Sequence, residues 1–265
     1  KSLQEKVYEN PNLKQLINGR LIRIGIAWTV KRDHYELQGQ KVPSEKLVDK
    51  VQVHTSWKQS VKLIKEFEKL GMKRGLVILD GWMLGGRDLN TPVSWPPEPK
   101  AGKISDMRKA MTESNFPVGI NDLFQDLNDW LKLYPRVTIK DSLGNNMLGW
   151  VWAGGHVYMV CSRFHLPLLK QRIKNILGVG TKAMFIDTTT IANFLECYDK
   201  KHPTDRRSDE KYKIALLDFA RKSGLIVGSE DGCDWGVPYV DYLEGIGVPR
   251  SYLKDLYKAE FLPLY

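Results

Sequence analysis

Residues 182–199 read KAMFIDTTTIANFLECYD, and the parsing of that stretch decides the fold. The run Ala183 to Ile186 is short, apolar and bounded by Lys182, the pattern of a buried strand. It leads directly into Asp187 and three threonines. A bare carboxylate buried at a strand tip would cost several kcal/mol or take up a proton, so Asp187 must be paired, hydrogen-bonded or used.

Working outward, the same unit recurs. RLIRIGIAWTV (20–30) reads as a β-branched strand, and SWKQSVKLIKEFEKLGM (56–72) as a helix with Ser56 at its N-cap and Gly71 as its stop. RGLVILDGW (74–82) is a second strand ending in Asp80. A Pro-rich loop and the helix ISDMRKAMTESN follow, then a third strand, FPVGINDLF (116–124), ending in Asn121 and Asp122. Residues 138–162 carry an Asn145-Asn146 turn and alternating apolar residues, the signature of an inserted hairpin. LPLLKQRIKNILGVG is the next helix, KAMFID the fourth strand, and DEKYKIALLDFARKSG a helix closed by Gly224. LIVGSE gives the fifth strand and PYVDYLEG the sixth.

Strands alternating with helices make either an open doubly wound sheet or a (β/α)8 barrel of the TIM type. Asp80, Asp122, Asp187, Glu230 and Glu244 all fall at or just past the C-terminal ends of successive strands, which converge on one mouth only in a barrel. No GxGxxG or P-loop follows the first strand. The expectation is an α/β chain with a single barrel catalytic domain over residues 1–265. Six strands are read where eight are needed, so further C-terminal barrel strands are expected from elsewhere.

The 265 residues, 42% hydrophobic, suffice for a large core. A net charge of +9 points towards anions, but Lys and Arg are spread over most helices rather than massed, so nucleic acid is not the expected partner. No apolar run reaches the ~18 residues of a membrane span. Cys161, Cys197 and Cys233 show no CxxC or Cys/His metal spacing, so a structural zinc site is not expected. They read as free thiols, with Cys197–Cys233 as the one pairing to consider. His34, His54, His156, His165 and His202 form no metal motif, and no GxSxG elbow is present.

With the fourth and fifth strands adjacent, Asp187 and Glu230 face each other. Two carboxylates across a gap are the equipment of glycoside hydrolysis, one ionised and one protonated. Hydroxyls of Thr188 to Thr190 would support an ionised Asp187 as nucleophile, and the Trp235 ring would keep Glu230 protonated as acid/base. The alternative is that such acids cap helices or pair with arginines such as Arg206 and Arg207. Trp82, Trp150, Trp152 and Trp235 are candidate sugar platforms, and Asp80 and Asp234 beside them are candidate substrate-binding residues.

The motifs VILDGW, VGINDLF, GWVWAGG, AMFIDTTT, ECYDKKHPTDRRSD and VGSEDGCDWGVPYVDYLEG, over residues 74–265, resemble a group of uncharacterised bacterial glycosidase-like proteins related to the endo-α-N-acetylgalactosaminidases, which are retaining enzymes. The resemblance implies a nucleophile at Asp187 and an acid/base at Glu230, in a mechanism without metal or cofactor. It also implies a sugar-gripping pair at Asn121-Asp122, where the relatives have His-Asp, and a WxW subsite at Trp150 and Trp152. Accessory β-domains, a glycan or glycoconjugate substrate and an extracellular or cell-surface setting belong to the same implication. The rival expectation is a barrel that binds carbohydrate without turning it over.

Overall fold

The computed structural model describes residues 10–28, 51–87, 89–152 and 155–246. The strands in chain order are β1 (Arg20–Gly25), β2 (Ala27–Trp28), β3 (Gln52–Val53), β4 (Gly75–Asp80), β5 (Val118–Asp122), β6 (Asp126–Leu127), β7 (Leu148–Trp152), β8 (Gly155–Met159), β9 (Ala183–Ile186), β10 (Ile226–Gly232) and β11 (Tyr242–Ile246). The α-helices are α1 (Trp57–Lys69), α2 (Ile104–Thr112), α3 (His165–Gly178) and α4 (Arg206–Lys222).

Six strands form one sheet in the order β1-β4-β5-β9-β10-β11, every pairing parallel, with helices α1 to α4 between successive strands from β1 to β10. Sequential order without a switch point is the barrel arrangement, not the doubly wound one. The sheet is strongly curled: Arg23 on one edge strand reaches Glu244 on the other, Nε to Oε2 at 2.8 Å. Among the described residues the sheet has six strands, so what is established is a curled parallel half-barrel.

Each strand alternates between two packing environments, as a period of two requires. One face of the central strands gives Val77, Leu79, Val118, Ile120, Met184, Ile186 and Val227 to a core shared with helix residues such as Ile64, Met107, Leu169 and Leu217. The other face gives Leu76, Ile78, Ala183, Phe185 and Ile226 to the concave interior. Gly119 lies on that inner face beside Ala183. A Cβ there would meet the Ala183 carbonyl oxygen at 2.4 Å, so the close strand approach requires glycine.

Local signals account for the helix limits. Ser56 and Gln59 form a reciprocal capping box at the start of α1. Asp205 caps α4 through Ser208 N–H, so the helix begins at Arg206, three residues before the expected start. The insertion is a three-stranded antiparallel sheet in the order β6-β8-β7, to which the two-residue β6 adds an unexpected strand. Its Asn-Asn signal is part of a turn closed by the Asp141 carboxylate, which accepts from Leu143 and Asn145 N–H. Thr29 and Val30 of the expected first strand, His34, and EFLPLY lie outside the described residues, as does the side chain of Trp152. No described helix is long and apolar enough to cross a membrane.

Candidate active site

Register places the charged residues. Ile186 pairs with Ser229, so the next inward positions on these neighbouring strands are Asp187 and Glu230; Glu230 in turn pairs with Glu244. One layer deeper, Asp80 and Asn121 point inward from β4 and β5. The curled sheet thus gathers Asp80, Asn121, Asp187, Glu230 and Glu244 at the C-terminal mouth.

Two arginines neutralise this ring. Arg23 Nη1 lies 3.3 Å and Arg87 Nη1 3.0 Å from Asp80 Oδ2, and Arg87 Nη2 extends to Asp187 Oδ2 at 3.5 Å. Arg23 also stacks over the Phe185 ring, 4.2 Å from its centroid. Its guanidinium is held above its ordinary range: burial opposes that, but Glu244, Asp80 and Asp187 outweigh it. Asn121 Nδ2 bridges Asp80 Oδ1 at 3.0 Å and Asp187 Oδ2 at 3.3 Å. The Thr188 N–H completes the set, donating to Asp187 Oδ1 at 3.1 Å.

Asp187 is buried, at 7% exposure. Glu230 is half-buried and stands on the neighbouring strand. Burial first, then the nearby Asp187 and Asp231 carboxylates, push the Glu230 carboxyl up to about 7, against a smaller opposing pull from Arg87. A carboxyl whose proton affinity is raised beside a second carboxyl is the arrangement expected of a general acid. Burial likewise raises Glu244, while Arg23 holds it down.

The residue after each member of the pair has a left-handed backbone, Thr188 at φ 56° and Asp231 at φ 39°. Neither is glycine, and threonine is β-branched. Such backbone costs about 1–3 kcal/mol per residue and concentrates at functional sites.

Several sequence expectations change. Asp122 falls one residue out of phase and faces the helices. Its buried carboxylate accepts from Arg172 Nη2 at 2.9 Å, from Leu123 N–H and, through a short bond, from the Ser94 hydroxyl, so it is consumed internally. Trp82 is fully buried and donates its Nε1–H to the Asn121 carbonyl at 2.6 Å, bracing the strand instead of forming a platform. Trp235 packs on Phe194, ring centroids 5.2 Å apart, and exposed Asp234 accepts from the Trp235 N–H. The causes that raise Glu230 are burial and acids. The threonines serve the backbone: Thr189 Oγ1 donates to the Asp187 carbonyl and Thr190 Oγ1 to that of Glu230. Arg206 pairs with Glu196 on the surface, so the cations at the mouth are Arg23 and Arg87. Trp150 is 56% exposed on β7.

The cysteines are also regrouped. All three are free thiols, but Cys197 lies beside Cys161 and His202, not beside Cys233.

A curled parallel half-barrel with a carboxylate pair at its C-terminal mouth is a site of the glycosidase class. The chain belongs to the glycosyl hydrolases related to the GH101 family, GH129, whose family model matches residues 124–256. No curated protein sequence matches it. Among solved structures it is similar to the α-N-acetylgalactosaminidase NagBb from Bifidobacterium bifidum. Against the ligand-free form the TM-score is 0.82 at 22% identity, covering 98% of this chain and 43% of that one. Against the Gal-NHAc-DNJ complex it is 0.79 at 21% identity, covering 91% and 38%. The α-galactosidase TtGalA from Thermus thermophilus in complex with stachyose gives 0.54 at 10% identity, covering 84% and 42%. At these identities the likeness concerns the fold, and this chain spans about two-fifths of the NagBb length.

Proposed function

We propose that this chain carries the catalytic pair of a retaining glycoside hydrolase acting on an α-linked galactose or N-acetylgalactosamine-type residue of a glycan or glycoconjugate. The observation that carries the proposal is the Asp187–Glu230 pair, with Glu230 pushed up to about 7.

In this reading the Asp187 carboxylate attacks the anomeric carbon as the glycosidic C–O bond breaks, and Glu230 gives its proton to the departing oxygen. Glu230, now ionised, takes a proton from water. That water oxygen attacks the anomeric carbon and releases Asp187. Asp80, Asn121 and Arg87 face the sugar hydroxyls, and exposed Trp150 offers its ring to the pyranose. The six strands are read as part of a (β/α)8 barrel, and residues 1–265 as part of one catalytic domain. The substrate class rests on the NagBb and TtGalA likenesses and on family membership.

The test is a panel of aryl α- and β-glycosides, with aryl release and the first-formed anomer as readouts. Release from an α-galactoside type with retained configuration, reduced by orders of magnitude in Asp187→Asn and in Glu230→Gln, supports the proposal. Sugar binding without release by the folded protein, or full activity in both variants, overturns it.

A further inference from the structure

Cys161 ends the segment that follows β8, while Cys197 and His202 lie in the loop between β9 and α4, the loop that begins at Asp187. All three side chains are buried, at 1%, 4% and 4% exposure. Their Sγ, Sγ and ring-nitrogen atoms lie within 4.8 Å of one another, and Cys197 Sγ is 3.4 Å from His202 Nδ1. On the far side of the ring, His202 Nε2 faces Asp199 Oδ2 at 3.6 Å. Thr204 Oγ1 borders the cluster, 3.2 Å from Cys161 Sγ.

We propose that Cys161 Sγ, Cys197 Sγ and His202 Nδ1 form a binding site for a thiophilic divalent metal ion of the zinc type, clasping the loop after Asp187 to the inserted sheet. The donor set is soft and nitrogen-containing, which selects zinc-like ions over magnesium or calcium. With Zn–S near 2.3 Å, the edges of a tetrahedral site are about 3.7 Å, so the three donors need to close by about 1 Å at most. The Thr204 hydroxyl or a water fills the fourth position. Asp199 behind the imidazole gives the carboxylate–histidine–metal arrangement that fixes ring orientation in metal sites. A simple Cys161–Cys197 disulfide would account for neither the ring nitrogen turned to Cys197 nor the carboxylate behind it. The backbone is already shaped for the clasp: Cys197 and Thr204 exchange two main-chain hydrogen bonds, 2.7 and 3.0 Å, which bring both ends of the His202 turn to Cys161. Binding releases the thiol protons and leaves two thiolates on the ion, with no change of oxidation state.

The experiment loads the reduced protein with cobalt(II) or zinc chloride, dialyses it, and reads metal stoichiometry by mass spectrometry and the visible thiolate–cobalt spectrum. The expected result is one ion per chain in a tetrahedral spectrum. Affinity falls at least about 100-fold in Cys197→Ser, and roughly 10- to 100-fold in Asp199→Asn, which keeps all three ligands. Cys233→Ser leaves binding unchanged. Folded wild-type protein that retains no stoichiometric ion overturns the proposal without recourse to any variant. So does an Asp199→Asn affinity equal to wild type, or isolation of the protein with Cys161 and Cys197 joined.

Discussion

Replacing Asp187 by asparagine should lower the proton affinity of Glu230 while leaving the fold intact. Glu230 stands at about 7 against an ordinary 4.5 because of burial first and the neighbouring Asp187 second. A unit charge about 4 Å away at an effective dielectric near 20 is worth about 4 kcal/mol, or ~3 pH units. Half-exposure of Glu230 and the opposing Arg87 screen that contribution, which ranks below burial. The amide keeps the volume and, through its single carbonyl oxygen, the bond from the Thr188 N–H, while its NH2 replaces the oxygen that accepts from Asn121 Nδ2 and the charge is removed. Burial remains, so the midpoint should fall from about 7 without reaching 4.5. Carboxyl-carbon NMR titration, with the Glu230 signal assigned by its loss in Glu230→Gln, reads this directly. A wild-type midpoint near 4.5, or a midpoint unmoved or raised in Asp187→Asn, would refute the reasoning. The linkage sign follows: with the folded value raised, this group's stabilising contribution is complete below pH 4.5 and is lost as pH rises through about 7.

Other consequences can be measured on the same protein. Arg87 pulls Glu230 down, so Arg87→Met should move the alkaline limb of any pH–rate profile upward from about 7; a downward shift would contradict the assignment. Arg172→Met removes the cation beside the buried Asp122 carboxylate and should cost about 3–5 kcal/mol in denaturant unfolding, whereas a loss below ~1 kcal/mol would mean that the bonds from Ser94 and Leu123 suffice to hold it. Gly119→Ala pushes a methyl group into the Ala183 carbonyl and should destabilise by about 1–3 kcal/mol in the same assay, against no change if the strands can part freely.

Much of this arrangement was legible because a parallel strand announces itself as an apolar run and its C-terminal residue is fixed by where that run stops. Asp80, Asp187 and Glu230 were found that way. Phase was the further signal available. Successive strand residues face opposite sides, so the adjacent Asn121 and Asp122 could not both enter the mouth; Asn121, in phase with Asp80 and Asp187, is the one that does. Trp82 was misplaced because nothing local tells a buried indole from a platform; its place follows from the turn at Gly81, whose φ of 67° returns the chain towards the sheet. Arg87 hides in a glycine-rich loop and Arg23 in mid-strand. Their roles arise only from the curl that brings β1 to β11, a long-range property carried by no short pattern. The Cys161, Cys197 and His202 cluster escaped for the same reason, since its members are 36 and 5 residues apart in sequence and converge through the inserted sheet.

The central claim is that Asp187 bonds covalently to the sugar. Incubation of the protein with an activated fluoro-glycoside of the galactose or N-acetylgalactosamine type, followed by proteolysis and peptide mass mapping, tests it most directly. The account predicts one glycosyl adduct, on the peptide carrying AMFIDTTT, at Asp187. An adduct on Glu230 or another carboxylate, or turnover of the reagent with no adduct formed, would contradict it.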